Sequence, residues 1–128
     1  MRVWDNRSVE AEGYERGIAL FNRGEFFEAH EVLEDVWRAA PAAERKFLQG
    51  LIQIAVALHH HSRGNSVGAR SLLARAAGNL DCYPEEFAGI ELAMLRGSLR
   101  AWQVALENGT PPPALPQVRR HPASNLEL

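Results

Sequence analysis

Between Arg45-Lys46 and Arg63 lies a sixteen-residue stretch, Phe47 to Ser62 (FLQGLIQIAVALHHHS), without one charged side chain. A stretch this apolar must be enclosed, and whatever encloses it must present apolar faces of its own. Its periodicity is that of a helix, turning about 100° per residue. Phe47, Leu48, Leu51, Ile52, Ile54, Ala55 and Leu58 then fill one arc, with His59 inside it. A second stripe carries Arg45, Gln49, Gln53, Val56 and His60, with Gly50 and Ala57 beside it. A helix that is apolar over half its circumference and amide-lined elsewhere is surrounded by protein rather than laid on a surface. It is too short and too polar to cross a bilayer, which takes about 20 apolar residues. The expectation is the central helix of a bundle.

The flanking segments supply the enclosure. From Glu10 to Arg23, Ala11, Tyr14, Ile18 and Phe21 recur at helical spacing, and Gly24 stops that helix. A second helix is expected from Glu25 to about Ala40, ended by Pro41, and the central one from near Ala42 to Gly64. Asn65 is placed to cap a fourth, whose stripe is Ala69, Leu73, Ala76 and Leu80. Pro84 is expected to open a fifth helix in its first turn, with Glu85 and Glu86 at the positive end of its dipole. Its buried face would hold Phe87, Ile90, Met94, Ala101, Trp102 and Ala105, and Gly109 would close it. No run of alternating β-branched residues suggests a strand. The fold class expected is therefore all-α, a five-helix bundle in which one central helix is surrounded by four others.

The 128 residues suit one domain, with a helical body over about 10–108 and a tail over 110–128 that carries five of the seven prolines. That tail is extended, either disordered or laid across the bundle, while residues 1–9 form a loose arm with Trp4 near the body. A faint repeat runs at an offset of 40 residues: Arg23-Gly24 matches Arg63-Gly64, Ala29 matches Ala69, and Leu33 matches Leu73. It resembles half of a tetratricopeptide pattern, but the chain is too short for a solenoid.

Composition narrows the function classes. Formal net charge is −2, and the only basic doublets are Arg45-Lys46 and Arg119-Arg120, so no basic face invites nucleic acid. The single Cys82 cannot form an internal disulfide, and the opening Met1-Arg2-Val3-Trp4-Asp5 has no signal-peptide pattern. A cytoplasmic location follows as the expectation. Phosphate-cradling glycine loops, dinucleotide fingerprints and serine elbows are missing from the sequence.

The polar residues that need explaining lie on the second and third helices. On the second, His30 and Glu34 fall within the apolar arc of Phe26, Ala29, Leu33, Val36 and Trp37. Glu28, Glu31, Asp35 and Arg38 fall on the opposite side. A buried carboxylate requires partners or a proton. The amide stripe of the central helix can provide them, which defines a candidate polar cluster of His30, Glu34, Gln49, Gln53 and His60. Its plainest role is a sealed hydrogen-bonded network that fixes helix register. A divalent metal on His30, Glu34 and one or both of His59 and His60, or acid–base chemistry by His30 and Glu34, is the alternative. His30-Glu31-Val32-Leu33-Glu34 lacks the second histidine of a zincin, and His59-His60-His61 point 100° apart. Asn22 and Asn65 beside the glycine turns read as caps.

Two blocks, FNRGEFFEAHEVLEDVWR and FLQGLIQIAVALHHHSRGNSVGA, resemble the family of small prokaryotic proteins called domain of unknown function 309. The resemblance covers about residues 14 to 80. Its matching positions are Phe21, Asn22, Gly24, Phe27, His30, Glu31, Glu34, Trp37, Gln49, Gly50, Gln53, Gly64, Asn65 and Ala69. It implies an all-helical domain with one central helix, and no established activity. The function expected from the whole is a non-catalytic interaction or scaffold module for a protein or peptide partner, homo-oligomers included. No cofactor, nucleic acid or membrane is expected. The alternative is a small enzyme or metal-binding protein built on the His/Glu/Gln cluster.

Overall fold

The structure, a computed structural model, describes residues 9–121. Its helices are α1 (Val9–Asn22), α2 (Phe26–Ala39), α3 (Ala42–Ser62), α4 (Ser66–Leu80) and α5 (Leu92–Asn108). Two short strands, β1 (Glu86–Phe87) and β2 (Ile90–Glu91), pair antiparallel just before α5. The helix-dominated architecture is the one the periodicity implies. None of the described helices is long and apolar enough to cross a membrane.

The uncharged stretch is the core. Phe47, Leu48, Leu51, Ile52, Ile54, Ala55 and Leu58 are all buried, and so are Gly50 and Ala57 on the flank. α3 packs against α2 on one side and α4 on the other, α1 packs on α2, and α5 on α4. α1 and α4 turn in the stripes expected of them: Ala11, Tyr14, Ile18 and Phe21 from α1, and Ala69, Leu73, Ala76 and Leu80 from α4. Removing each large side chain from water contributes about 1.5–3 kcal/mol.

The offset of 40 residues has a structural cause. Glu25 N–H donates to Leu20 O and Gly24 N–H to Phe21 O; Asn65 N–H donates to His60 O and Gly64 N–H to His61 O. These are two copies of one C-terminal cap, each requiring a positive φ, met by Gly24 at 80° and Gly64 at 82°. Asn65 then caps α4, its Oδ1 accepting from Gly68 N–H at 2.9 Å.

The fifth helix departs from expectation. It begins at Leu92 rather than near Pro84, and Glu85 and Glu86 therefore do not sit on its dipole. Phe87 and Ile90 lie in the hairpin, which turns through Ala88 and Gly89, both at positive φ. What outbids helix is tertiary: Tyr14 donates its hydroxyl to Ala88 O at 2.9 Å, and Tyr83 and Phe87 stack on Phe47 at 5.8 and 5.0 Å between ring centres. The Tyr83 hydroxyl also donates to Ala43 O and accepts from Phe47 N–H, bridging a backbone pair in the first turn of α3. Arg96 locks the other side, donating to the carbonyls of Leu80 and Tyr83 at the end of α4. With the start moved, the buried face of α5 becomes Leu92, Leu95, Leu99, Trp102 and Ala105, while Met94 and Ala101 are exposed.

Past Gly109 the tail lies across the body. Trp102 donates its indole N–H to Ala114 O at 2.9 Å, Val118 is buried, and Arg120 bridges to Ile90 at the edge of β2. The arm over 1–8, with Trp4, and the tail beyond residue 121 lie outside the described residues.

Candidate functional site

The five residues of the predicted polar cluster do not converge. His30 Nδ1 lies 2.9 Å from Phe27 O; a carbonyl only accepts, so this nitrogen carries a proton. Nε2 lies 3.9 Å from Glu34 Oε2, too far for a hydrogen bond. The Glu34 side chain is 42% exposed and also lies 3.9 Å from Arg38, so it belongs to the rim of α2 rather than the core. Gln49 faces solvent. Gln53 turns toward α4, its Oε1 accepting from Asn79 Nδ2 at 2.8 Å. A sealed network is therefore not what the second helix provides. The amide stripe of α3 serves α4, leaving Glu34 to solvent.

The three histidines that end α3 diverge as their 100° spacing requires. His59 stacks on Phe27 at 5.4 Å, His60 approaches Asn65 at 3.5 Å, and His61 meets the Trp102 ring edge-on at 5.1 Å. Phe27, 47% exposed, thus sits between the rings of His30 and His59. Among the described residues no three His, Cys, Asp or Glu side chains gather around a common point.

Two other places are built more deliberately. Asn22, read from sequence as a cap, holds the tail: its Nδ2 donates to Val118 O at 2.9 Å and its Oδ1 accepts from Val118 N–H at 2.7 Å. A primary amide has one donor face and one acceptor face, so it matches an extended backbone as a neighbouring strand would. No local signal in the sequence distinguishes this asparagine from a helix end, because its partner is 96 residues away.

The second place is the outer face of α4. Val67, Arg70, Ser71, Ala74, Arg75 and Gly78 form one exposed stripe at helical spacing, with Val67 77% exposed. Val67, Arg70, Ser71 and Ala74 line one wall of a groove of about 490 Å3, and Gln103 and Glu107 of α5 line the other. Sequence reading passed over it, since a stripe of small residues with two arginines looks like any solvated helix face.

The chain is 35% identical to an uncharacterized protein of Aquifex aeolicus (strain VF5) over 106 residues, which cover 82% of this chain and 32% of that one. It is 47% identical to the uncharacterized protein YpuF of Bacillus subtilis (strain 168) over 53 residues, 41% of this chain and 30% of YpuF. The matched stretch spans about a third of each of these relatives. Residues 14–72, from Tyr14 on α1 to Leu72 on α4, match a domain of unknown function (DUF309).

Proposed function

We propose that the domain is a non-catalytic, cytoplasmic interaction module that receives an acidic amphipathic helix of a protein partner on the outer face of α4. The observation that carries this reading is the groove between α4 and α5. Ser71, Ala74 and Gly78 are small enough for another helix to approach closely, and Val67 offers apolar area that solvent otherwise covers. Charge selects the partner. α4 holds Arg70 and Arg75 and no acid, and neither arginine is in an ion pair among the described residues. Carboxylates on the incoming helix would meet both along the α4 wall, while Glu107 on the α5 wall turns the acidic edge of that helix toward α4. Relatives in which the matched stretch is about a third of the chain support the idea of a module within larger proteins. The lone exposed Cys82 suits a reducing compartment.

The test is fluorescence anisotropy with two amphipathic helical peptides that share an apolar face and carry Glu or Lys on the polar face. The Glu peptide should bind and the Lys peptide should not. Ala74→Trp should abolish binding by filling the groove, and Arg70→Glu with Arg75→Glu should invert the preference. Binding of neither peptide, or binding indifferent to Ala74→Trp, would remove the α4 face as the docking surface.

A further inference from the structure

The site that holds the tail is separate from the α4 face. Along residues 114–121 the body supplies a partner at almost every step. Trp102 takes Ala114 O, Asn22 takes both backbone groups of Val118, and Glu91 N–H donates to Arg119 O at 2.8 Å. His121 N–H donates to Gly89 O at 2.9 Å, and Ile90 pairs with Arg120 so that the tail extends the hairpin. Side chains add charge: Arg120 reaches Glu15, and His121 Nε2 lies 3.1 Å from Glu86. Val118 is 4% exposed. This is a receptor for an extended apolar–basic segment, with an apolar position followed by cations that meet carboxylates of α1 and the hairpin.

Ahead of this segment stands Pro111-Pro112-Pro113, exposed, with no hydrogen bond from any of the three among the described residues. Prolines have no N–H to give and hold the chain extended, so this hinge is stiff and gains little freedom when the tail leaves. Among the described residues, the body groups that hold the tail's backbone and Arg120 lie between residues 15 and 102. Those groups are indifferent to which copy supplies the tail. We propose that two copies of this chain exchange residues 114–121, each tail occupying the receptor of the other. Contacts inside the receptor are the same in both forms, so concentration and the hinge set the balance.

The Glu15–Arg120 pair permits a direct test in the full chain. Glu15→Arg and Arg120→Glu each place like charges together when the tail folds back on its own body. In an exchanged pair of the two variants, one receptor joins the two substituted side chains, arginine against glutamate. The other joins the original Glu15 and Arg120, so both contacts are restored. Native mass spectrometry of the mixture should show heterodimers exceeding homodimers by about fivefold or more. Wild type should pass from monomer to dimer over a hundredfold range of concentration, roughly the span in which mass action moves such an equilibrium. Deleting Pro112 and Pro113 shortens the extended hinge by about 6 Å, which strains the tail's return to its own receptor, and that chain should be dimeric at concentrations where wild type is monomeric. Val118→Asp, which spoils the tail alone, should return wild type to monomer. A monomeric hinge-shortened chain, a dimer that survives Val118→Asp, or heterodimers at the statistical ratio would each overturn the exchange.

Discussion

Gly50→Ala probes the contact on which the α3–α4 pairing depends. A Cβ built at Gly50 would lie 2.7 Å from Leu80 Cδ2 and 2.8 Å from Leu80 Cγ. Carbon atoms settle at about 3.5–4.0 Å, so the overlap is close to an ångström and reaches the branch point of the leucine, not only its tip. Leu80 is fully buried, so any shift of its side chain has to displace its core neighbours. Overpacking of this kind costs about 1–3 kcal/mol, and an overlap at Cγ argues for the upper end. Alanine returns about 1 kcal/mol as the better helix former, leaving a net loss of about 2 kcal/mol. Gly78, also helical, has nothing within 4 Å of the same added atom, so Gly78→Ala should gain up to about 1 kcal/mol with nothing to offset it. Urea melts at constant m-value should therefore separate two chemically identical substitutions by sign. Leu80→Ala alone should cost about 2–5 kcal/mol as a cavity. Combined with Gly50→Ala the loss should fall short of the sum by about 1–3 kcal/mol, because the new methyl enters the vacated space. A Gly50→Ala protein as stable as wild type, or an additive cycle, would refute the close approach of these helices.

Three further outcomes follow from the geometry. Leu33→Ala should cost about 2–5 kcal/mol in the same melts, whereas Glu34→Ala, with a side chain 42% exposed and both His30 and Arg38 at 3.9 Å, should change stability by no more than about 0.5 kcal/mol; a large loss from the second would restore the buried network. Asn65→Ala should cost about 1 kcal/mol by removing the cap of α4, and Asn65→Gly only a few tenths; equal losses would mean that the side chain does not cap. Burial raises the Tyr83 phenol above its ordinary 10.0, outweighing the Phe47 N–H that favours the phenolate. The folded chain therefore keeps a proton that the unfolded chain surrenders, so this stabilisation is intact below about pH 10 and is lost as pH rises through the higher folded value. Subtracting the alkaline melting profile of Tyr83→Phe from that of wild type should isolate this slope, and parallel profiles would show that Tyr83 is not desolvated.

What the sequence discloses of this molecule is what repeats within a few residues. The 3.6-residue period places the buried stripes of α1, α3 and α4, and the glycines after α1 and α3 carry a cap that needs positive φ. The hairpin lacks such a signal: strands of two residues have no period, and one of its two positive-φ turn residues is alanine. It is held by Tyr14, 74 residues from Ala88, and by the tail beyond α5. The error over the polar cluster is of another sort. A helical wheel reports the angle of a side chain but not how far the neighbouring helix extends over it. His30 and Glu34 do share an arc with Phe26 and Leu33, yet α3 covers only part of that arc. The amide stripe expected to meet them is split, Gln53 facing Asn79 on α4 and Gln49 facing water.

The same distinction explains why the repeat is faint. In each hairpin a glycine of the first helix receives a leucine of the second: an added Cβ on Gly17 would lie 2.6 Å from Leu33 Cδ2, as one on Gly50 would lie 2.7 Å from Leu80 Cδ2. Gly17 stands seven residues before the capping Gly24, and Leu33 nine after it; Gly50 stands fourteen before Gly64, and Leu80 sixteen after. Both partners have moved outward by seven residues. Seven residues is close to two helical turns, so the contact keeps its face while sliding along the helices away from the turn. α3, with 21 residues against 14 in α1, has the length to allow it. An alignment at a fixed offset registers the caps, which did not move, and misses the packing contact, which did. The buried residues of α3 from Phe47 to Leu58 fit this account, since a helix that closes on its partner this far from the turn has to keep one face apolar over that whole span.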